Sequence, residues 1–373
     1  MKKIKLAVIS PFWPYGGISN HLENVYPRLA RHNNFDITLY TNYQNQNEKK
    51  ELGEKFGGVN IFAYYTLNKR YFRGVGYAIA TYLKNLSDYD LLKVHNTSYA
   101  ICLLPKLLST GKKFIVHTHG RDVNELLNKM VYRFLAKIVY NRASLIICPS
   151  EREKKKIIAL GIPSRKIKII RDGINLKIVA KKRTGFLRKE LKIKNKKILV
   201  FVGHISYTKG VDVLLKAVPK LMKNDLAVVL VGNIGGGGLS LVPKIKIIEK
   251  IYPGRFFWIG ERRDIIKILN STDFFLLPSL SEASTSIALL EAMSAENCCI
   301  ATDVGDVKKH LRGGCYIIKP KDPNEIAKAI NYLIKEKSVA KAIKKNADKI
   351  IKNFSWDAIA KEHINQYKEV IKV

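Results

Sequence analysis

The stretch ILVFVGHISYTKGVDVLLKA, residues 198–217, decides the fold. Its apolar residues run without interruption up to Gly203, which predicts a buried strand. A short polar loop with Lys209-Gly210 follows, and then apolar residues at helical spacing. A strand, a glycine turn and a helix in this order are typical of a parallel α/β sheet. The N-terminus of the helix would lie at the carboxyl edge of that sheet, where its free N–H groups and partial positive charge favour a phosphate.

The same alternation of strand and helix extends through the chain of 373 residues. Short apolar runs between helical segments predict parallel sheets that are covered on both faces. The predicted strands are Ile4–Ile9, Ile37–Tyr40, Leu91–Val94, Phe114–Val116, Leu145–Cys148, Ile198–Val202, Ala227–Val231, Phe256–Ile259, Phe274–Leu277 and Cys298–Ala301. At about 150 residues per domain, the length suggests two domains. We therefore expect an α/β protein of two Rossmann-like, doubly wound domains, residues 1–180 and 181–354, joined at about residues 172–190.

A second stretch, FFLLPSLSEASTSIALLEAMSAENCCIATDV at residues 274–304, predicts another strand, loop and helix. Small polar residues around Ser286 begin the helix that carries Glu291. Small residues let backbone N–H groups approach a diphosphate closely. A carboxylate such as that of Glu291 can accept hydrogen bonds from the paired hydroxyls of a ribose. Glutamate is usually a solvated surface residue, so this segment by itself leaves that ordinary interpretation open.

The net charge of +35 is extreme and uneven, with +21 in residues 1–185 and +14 in residues 186–373. It favours an anionic membrane surface, a phosphorylated acceptor or nucleic acid, or it reflects composition alone. No nucleic-acid motif with aromatic platforms is present, so we expect no nucleic-acid partner. The cysteines form no C-x-x-C pair, and the start MKKIKLAVIS resembles a first strand and not a signal peptide. We expect a cytoplasmic protein, with peripheral attachment to the inner face of the cell membrane as an open alternative.

A series of short motifs occurs in a fixed order along the chain. They are Gly16-Gly17-Ile18 followed by His21, KVHN with His95, VHTHG with His119, CPSEREKKKIIALGIP, IIRDGIN, VGHISYTKG, SEASTSIALLEAM and FSWDAIAKEHINQY. Together they resemble glycosyltransferase family 4, also called glycosyltransferase group 1, over nearly the whole chain. The resemblance implies a retaining enzyme of GT-B fold, with two domains facing a central cleft. It also implies that the last helix, residues 355–373, crosses back to the N-terminal, acceptor-binding domain, while residues 181–354 bind the nucleotide sugar.

The resemblance implies a role for residues at matching positions. Lys209 would neutralise the donor diphosphate, His119 would touch the reacting sugar, and Glu282 would bind sugar hydroxyls; these form the expected catalytic set. The expected donor contacts are Gly17, His204, Lys209, Gly232, Ser286, Ile287 and Glu291. The expected acceptor contacts are Gly16, His21 and His95. No metal ligand is expected: Asp88-Tyr-Asp90 has the D-x-D form of metal-dependent transferases, but it precedes a buried apolar run as a polar strand entry. No cofactor is expected.

Two departures from the family pattern bear on this site. His204 stands where the family usually has arginine, which shifts more of the phosphate charge onto Lys209. Eight residues separate Glu282 from Glu291 where seven are usual, and we place the extra residue in the loop near Ala283. The role expected for Glu282 is therefore less secure than that of Glu291, which keeps its helical context in LLEAM.

The function implied is transfer of a sugar from a UDP- or GDP-type donor to a hydroxyl of a glycan or lipid-linked acceptor. We expect the acceptor at the N-terminal half, where basic and aromatic residues alternate over residues 64–86. Two alternatives stay open. A sugar-nucleotide epimerase of the same architecture would act without an acceptor. A non-enzymatic polyanion-binding protein would follow from the charge alone.

Overall fold

The computed structural model describes residues 3–11, 16–32, 34–66, 81–176, 184–282 and 285–372. The chain divides into two compact units. The first unit comprises the residues up to Gly173 and those from Trp356 onward, and the second comprises Ile174–Ser355. The sequence places the boundary at residue 180; residues 177–183 of the expected connection lie outside the described residues.

The first unit is built on a parallel sheet that has seven strands in the described ranges. The strands are β1 (Ile4–Ile9), β2 (Phe35–Tyr43), β3 (Asn60–Tyr65), β4 (Leu91–His95), β5 (Lys113–His117), β6 (Leu145–Cys148) and β7 (Ile167–Ile169). Their order in the sheet is β3-β2-β1-β4-β5-β6-β7. The order reverses between β1 and β4, so the carboxyl ends of these strands form a topological switch point, where open α/β sheets bind ligands.

Helices cover both faces of this sheet. They are α1 (Gly16–Ala30), α2 (Gln46–Lys55), α3 (Thr97–Ser109), α4 (Arg121–Asn124), α5 (Met130–Arg142) and α6 (Glu151–Ile158). The helix that closes the unit, α15 (Trp356–Lys372), comes from the far end of the chain. Its buried residues, which include Trp356, Ile359, His363 and Tyr367, recur at intervals of three or four, as one face of a helix requires.

The second unit repeats this architecture. In the part of the chain that is described, it has a parallel sheet of six strands in the order β10-β9-β8-β11-β12-β13. The strands are β8 (Lys197–Val202), β9 (Leu226–Val231), β10 (Phe256–Trp258), β11 (Phe274–Leu277), β12 (Cys298–Thr302) and β13 (Tyr316–Ile318). The helices are α7 (Phe186–Glu190), α8 (Val211–Leu221), α9 (Val242–Ile251), α10 (Ile265–Leu269), α11 (Ile287–Ser294), α12 (Val307–Leu311), α13 (Pro323–Lys335) and α14 (Lys337–Ile351). The switch point here lies between β8 and β11.

The near-continuous apolar strands are explained by burial on both faces of each sheet. In β8, Leu199 and Phe201 pack into one hydrophobic core, while Ile198 and Val200 pack into the core on the opposite face. This confirms the predicted fold class of two parallel-sheet α/β domains. No helix within the described ranges is long and apolar enough to cross a membrane.

Candidate active site

The loops that follow β8 and β11 meet at the switch point of the second sheet. Gly210 has a φ of +69°, and a Cβ placed on it would lie 1.9 Å from the carbonyl oxygen of Pro278. Only glycine tolerates both this conformation and this approach. The amide of Leu280 also donates to the carbonyl oxygen of Thr208 over 2.8 Å. The turn that carries Lys209 is therefore held against the segment that follows β11.

This contact brings together Lys209 and Glu282, which lie 73 positions apart in the sequence. Lys209 Nζ donates to Glu282 Oε1 over 2.7 Å and to Oε2 over 2.9 Å. Ser279 Oγ donates to the same Oε1 over 2.6 Å. The Glu282 side chain is 8% exposed and that of Lys209 27% exposed. Because an ammonium has three N–H donors, Lys209 keeps at least one for a phosphate oxygen.

The N-terminus of α11 follows Glu282 closely in the chain. Ser286 is the N-cap residue and its side chain makes no capping hydrogen bond, so the first N–H groups of the helix, from Ile287 onward, are not capped by it. The Thr285 hydroxyl is buried and has no hydrogen-bond partner among the described residues. Glu291 lies in the second turn of α11, and burial raises its pKa to about 7. Uncapped N–H groups and a buried hydroxyl at one helix end suit an anionic ligand.

Two other expected donor contacts lie at the ends of β8 and β9. Gly232 has a φ of +139°, and a Cβ on it would lie 2.0 Å from the carbonyl oxygen of Gly203. His204 is exposed, and a Cβ added to Gly235 would lie 2.7 Å from the Cβ of His204. The backbones of these two loops therefore approach one another as closely as glycine allows, with the imidazole of His204 beside them.

In the first unit, the expected histidines lie at the carboxyl ends of β4 and β5. His95 ends β4 and His119 follows β5. His95 Nδ1 and His119 Nε2 share a hydrogen bond of 2.8 Å, and His95 Nε2 shares one of 2.6 Å with Tyr26 Oη. The His119 amide donates to Asp122 Oδ1 over 2.9 Å, which fixes the loop. Burial lowers the pKa of His119 to about 3, so its imidazole is neutral.

His21 belongs to the same cluster through α1, which begins at Gly16 and includes Gly17. His21 Nδ1 and Asp172 Oδ1 are 2.9 Å apart. The His21 and His95 side chains have no exposed surface, whereas His119 is partly exposed. A fully buried imidazole cannot touch a bound acceptor, so the direct contact expected of His21 and His95 does not fit this arrangement. His95 instead hydrogen-bonds His119.

Two family models match this chain. The family model for Glycosyl transferases group 1 matches residues 183–350, and the model for Glycosyltransferase Family 4 matches residues 15–178. This chain belongs to the family 4, group 1 glycosyltransferases. Its two parallel-sheet α/β domains are those of the GT-B fold that the motifs predict.

Relatives and solved structures of this glycosyltransferase extend over most of its length. An uncharacterised glycosyltransferase of Methanocaldococcus jannaschii is 24% identical over 98% of both chains. The N,N'-diacetylbacillosaminyl-diphospho-undecaprenol alpha-1,3-N-acetylgalactosaminyltransferase of Campylobacter jejuni is 25% identical over 66% of each. Anabaena HepE in complex with UDP superimposes with a TM-score of 0.79, at 18% identity over 98% of this chain and 100% of the other. The same HepE was also solved with UDP-glucose.

The sequence motifs of the glycosyltransferase did not single out several residues that the fold brings into these clusters. His117, His363 and Asp172 lie with His21 in the first unit, and Ser279 binds Glu282 in the second. His117 and Asp172 stand inside quoted motifs, VHTHG and IIRDGIN, which is the signal that could have found them. His363 also stands inside a quoted motif, FSWDAIAKEHINQY, but nothing local in its helix relates it to β5.

The glycosyltransferase also exposes large apolar side chains at the start of α5. Met130 is 81% exposed, Val131 70% and Phe134 65%. Lys129, Arg133 and Lys137 are exposed on the same segment. Of the basic, aromatic stretch at residues 64–86, residues 67–80 lie outside the described residues. Apolar and basic side chains side by side are typical of a surface that meets anionic lipid.

Proposed function

We propose that this glycosyltransferase transfers a sugar from a UDP- or GDP-sugar to a hydroxyl of a glycan or lipid-linked acceptor, with retention at the anomeric carbon. The observation that carries the proposal is the partly exposed Lys209 ammonium, which Glu282 holds at the switch point of the second sheet. The N-terminus of α11, where Ser286 makes no side-chain cap, follows Glu282 closely in the chain. The complexes of HepE with UDP and with UDP-glucose support a nucleotide-sugar donor.

In this proposal the second unit stabilises the departing diphosphate. The transition state is oxocarbenium-like, so the charge that develops on the leaving group is the main one to be balanced. Lys209 supplies a full positive charge, and the backbone N–H groups at Ser286 and Ile287 supply hydrogen bonds. His204 and the close backbone approach at Gly232 complete the donor side. No divalent metal is needed if these groups carry the charge.

The remaining contacts orient the sugar and the nucleoside. Glu291 accepts hydrogen bonds from ribose hydroxyls, and Glu282 binds a sugar hydroxyl while it holds Lys209 in place. In the first unit, the backbone of Gly16 and Gly17 contacts the ligands at the start of α1. His119 touches the reacting sugar. Because its imidazole is neutral, it can act as a hydrogen-bond donor through one nitrogen and as an acceptor through the other.

The test is a donor screen followed by a transfer assay. Thermal shift over UDP-, GDP- and ADP-sugars identifies the donor, since a ligand that binds the native state raises the unfolding temperature. Transfer is then followed by NMR, where retention predicts the same anomeric configuration in donor and product. Conversion of the donor sugar without an acceptor would point to the epimerase alternative. Turnover that depends on added Mg²⁺ or Mn²⁺ would contradict the metal-independent mechanism.

We further propose that the acceptor is presented at an anionic membrane surface, where the α5 segment docks. The exposed apolar residues of α5 would insert at the interface, and its three basic residues would each add about 1 kcal/mol near anionic lipid. The net charge of +35 is complementary to such a surface. The Campylobacter relative, whose name contains an undecaprenol diphosphate, supports a lipid-linked acceptor.

Vesicle flotation tests the membrane proposal. We expect the chain to float with vesicles of phosphatidylglycerol and phosphatidylcholine at low salt, and to float less at high salt or without the anionic lipid. Replacement of Met130 and Phe134 by Ser should reduce flotation. Leu239→Ser is the matched control, because Leu239 is 72% exposed but lies in the second unit. Equal flotation of all three proteins would exclude α5 as the docking surface.

A further inference from the structure

The first unit contains a group of three buried histidines to which the proposed transfer reaction gives no role. His21 comes from α1, His117 from the end of β5 and His363 from α15. Their side chains are 0%, 1% and 0% exposed. One ring nitrogen from each lies within 4.8 Å of the others. Three elements that are distant in the sequence thus bring three neutral nitrogen ligands to one point.

Each of these imidazoles also has an unsatisfied ring nitrogen. His21 Nε2, His117 Nδ1 and His363 Nε2 are buried and have no hydrogen-bond partner among the described residues. Leaving a buried polar atom unpaired costs about 1–3 kcal/mol, so three of them in one cluster call for a common partner. A metal ion is the one partner that can accept a lone pair from all three at once.

The second interaction of His21 matches that of a metal ligand. Its Nδ1 lies 2.9 Å from the Asp172 carboxylate. An ionised carboxylate has no proton to donate and can only accept a hydrogen bond. The proton therefore lies on Nδ1, and Nε2 keeps its lone pair. A carboxylate that orients a ligating histidine in this way is common at zinc sites.

The ring separations also agree with tetrahedral coordination. A zinc ion about 2.0–2.1 Å from a ring nitrogen lies about 3.2 Å from the ring centroid, which places two such centroids about 5.2 Å apart. The observed centroid separations are 4.8 Å for His21 and His117, 5.2 Å for His21 and His363, and 5.6 Å for His117 and His363. Small side-chain rotations would bring the nitrogens to ligand distance.

A neighbouring set, His95, His117 and His119, is a weaker candidate. Both ring nitrogens of His95 are already engaged, one with Tyr26 and one with His119. His95 is therefore satisfied without an ion. Lys93 also lies close to the cluster, but its Nζ donates to Tyr367 Oη over 2.6 Å, and burial lowers the pKa of its ammonium well below the usual value.

We propose that His21, His117 and His363 form a structural site for one Zn²⁺-type ion, with Asp172 orienting His21. The ion takes three imidazoles from the protein and a water in its fourth position, as at other three-histidine zinc sites. It ties α15 to α1 and β5, and so fastens the end of the chain to the first unit. The site has no part in the donor chemistry, which the second unit supports.

The experiment uses the full chain without a histidine tag. The chain is stripped of metal by a chelator, refolded with Zn²⁺, dialysed, and analysed for zinc per chain and for affinity by competition with a chromophoric chelator. We expect one Zn²⁺ per chain, at least 100-fold weaker binding for His363→Gln, and about 10–100-fold weaker binding for Asp172→Asn. His32→Gln is the matched control, since His32 is exposed in the same unit and should bind like the wild type.

The Co²⁺ form gives a spectroscopic readout of the coordination geometry, in the wild type and in one further variant. Tetrahedral Co²⁺ absorbs visible light far more strongly than octahedral Co²⁺, and His363→Cys should add a thiolate charge-transfer band. Failure of the refolded wild type to bind Zn²⁺, a Co²⁺ spectrum of octahedral type, or undiminished binding by a folded His363→Gln variant would each overturn the proposal. Circular dichroism establishes which variants are folded.

Discussion

Substitutions in the ion pair between Lys209 and Glu282 can separate the contribution of Lys209 to stability from its contribution to the transfer reaction. Lys209→Met removes the ammonium and leaves the Glu282 carboxylate, 8% exposed, hydrogen-bonded to the Ser279 hydroxyl. Breaking a fully buried pair costs about 3–5 kcal/mol. Because the Lys209 side chain is 27% exposed, solvent screens part of this loss, and we expect about 2 kcal/mol.

A second substitution tests the source of that loss. Glu282→Gln in the Lys209→Met background removes the uncompensated charge, so the free energy of unfolding should recover by about 1 kcal/mol or more. Transfer should not recover. Losing a group that stabilises the leaving diphosphate costs about 10²–10³ in rate, and the neutral pair supplies no charge to replace it. Stability and activity are therefore expected to diverge in the double variant.

Urea unfolding of the four proteins in the cycle gives the coupling energy, and donor turnover is measured on the same samples. Lys216→Met is the control, because Lys216 is exposed on α8 and should affect neither quantity. Near-wild-type transfer by a folded Lys209→Met variant would refute the role of the ammonium. Recovery of transfer in the double variant would show that Lys209 acts only by neutralising Glu282.

Three further predictions follow from burial and backbone geometry. Burial raises the pKa of Glu291 to about 7, so the native state holds its proton more tightly and stability falls as the pH rises from about 4.5 to 7. Glu291→Gln should therefore be more stable than the wild type by about 3 kcal/mol at pH 8 and by less than about 1 kcal/mol at pH 5. An equal difference at both pH values in urea titrations would contradict this. Gly210→Ala should destabilise by several kcal/mol because its Cβ meets the Pro278 carbonyl, whereas Gly254→Ala, with a φ of +67° and open space around it, should cost only about 1–2 kcal/mol. A chain ending at Ser355 should leave the first unit unfolded, because each large side chain of α15 contributes about 1.5–3 kcal/mol by its burial; hydrogen exchange that still protects β1 would refute it.

The sequence predicted every central strand of both described sheets and the edge strand β10, and it missed the other three edge strands. All ten predicted apolar runs are strands, because a buried central strand must be apolar on both faces. The missed ones are β3, β7 and β13. β3 has no buried residue in its six positions, so it lacks the apolar pattern. β7 and β13 have three residues each, which is too short for a periodicity to appear.

At the candidate site, the sequence singles out individual residues but not the interactions between them. Lys209 and Glu282 were each placed by their local motif, but their ion pair depends on how closely Gly210 approaches Pro278. That approach is a property of two loops folded together, and no spacing within either loop encodes it. The extra residue near Ala283, which made Glu282 the less secure prediction, does not prevent this pairing. Direct acceptor contacts for the buried His21 and His95 are the part that does not fit.

The six strands of the second sheet follow the same order as the first six of the other sheet, so topology alone cannot decide which unit binds a diphosphate. The side chains at the two switch points differ. Between β8 and β11 lie a partly exposed ammonium and an uncapped helix N-terminus, which supply positive charge where solvent can reach. At the ends of β4 and β5 in the first unit lie buried imidazoles, whose pKa values burial holds below the usual range. Neutral, desolvated rings cannot balance two phosphate charges, but they suit hydroxyl groups and a coordinated metal ion. The chemistry of the side chains therefore supports our proposal that the donor diphosphate binds the second unit.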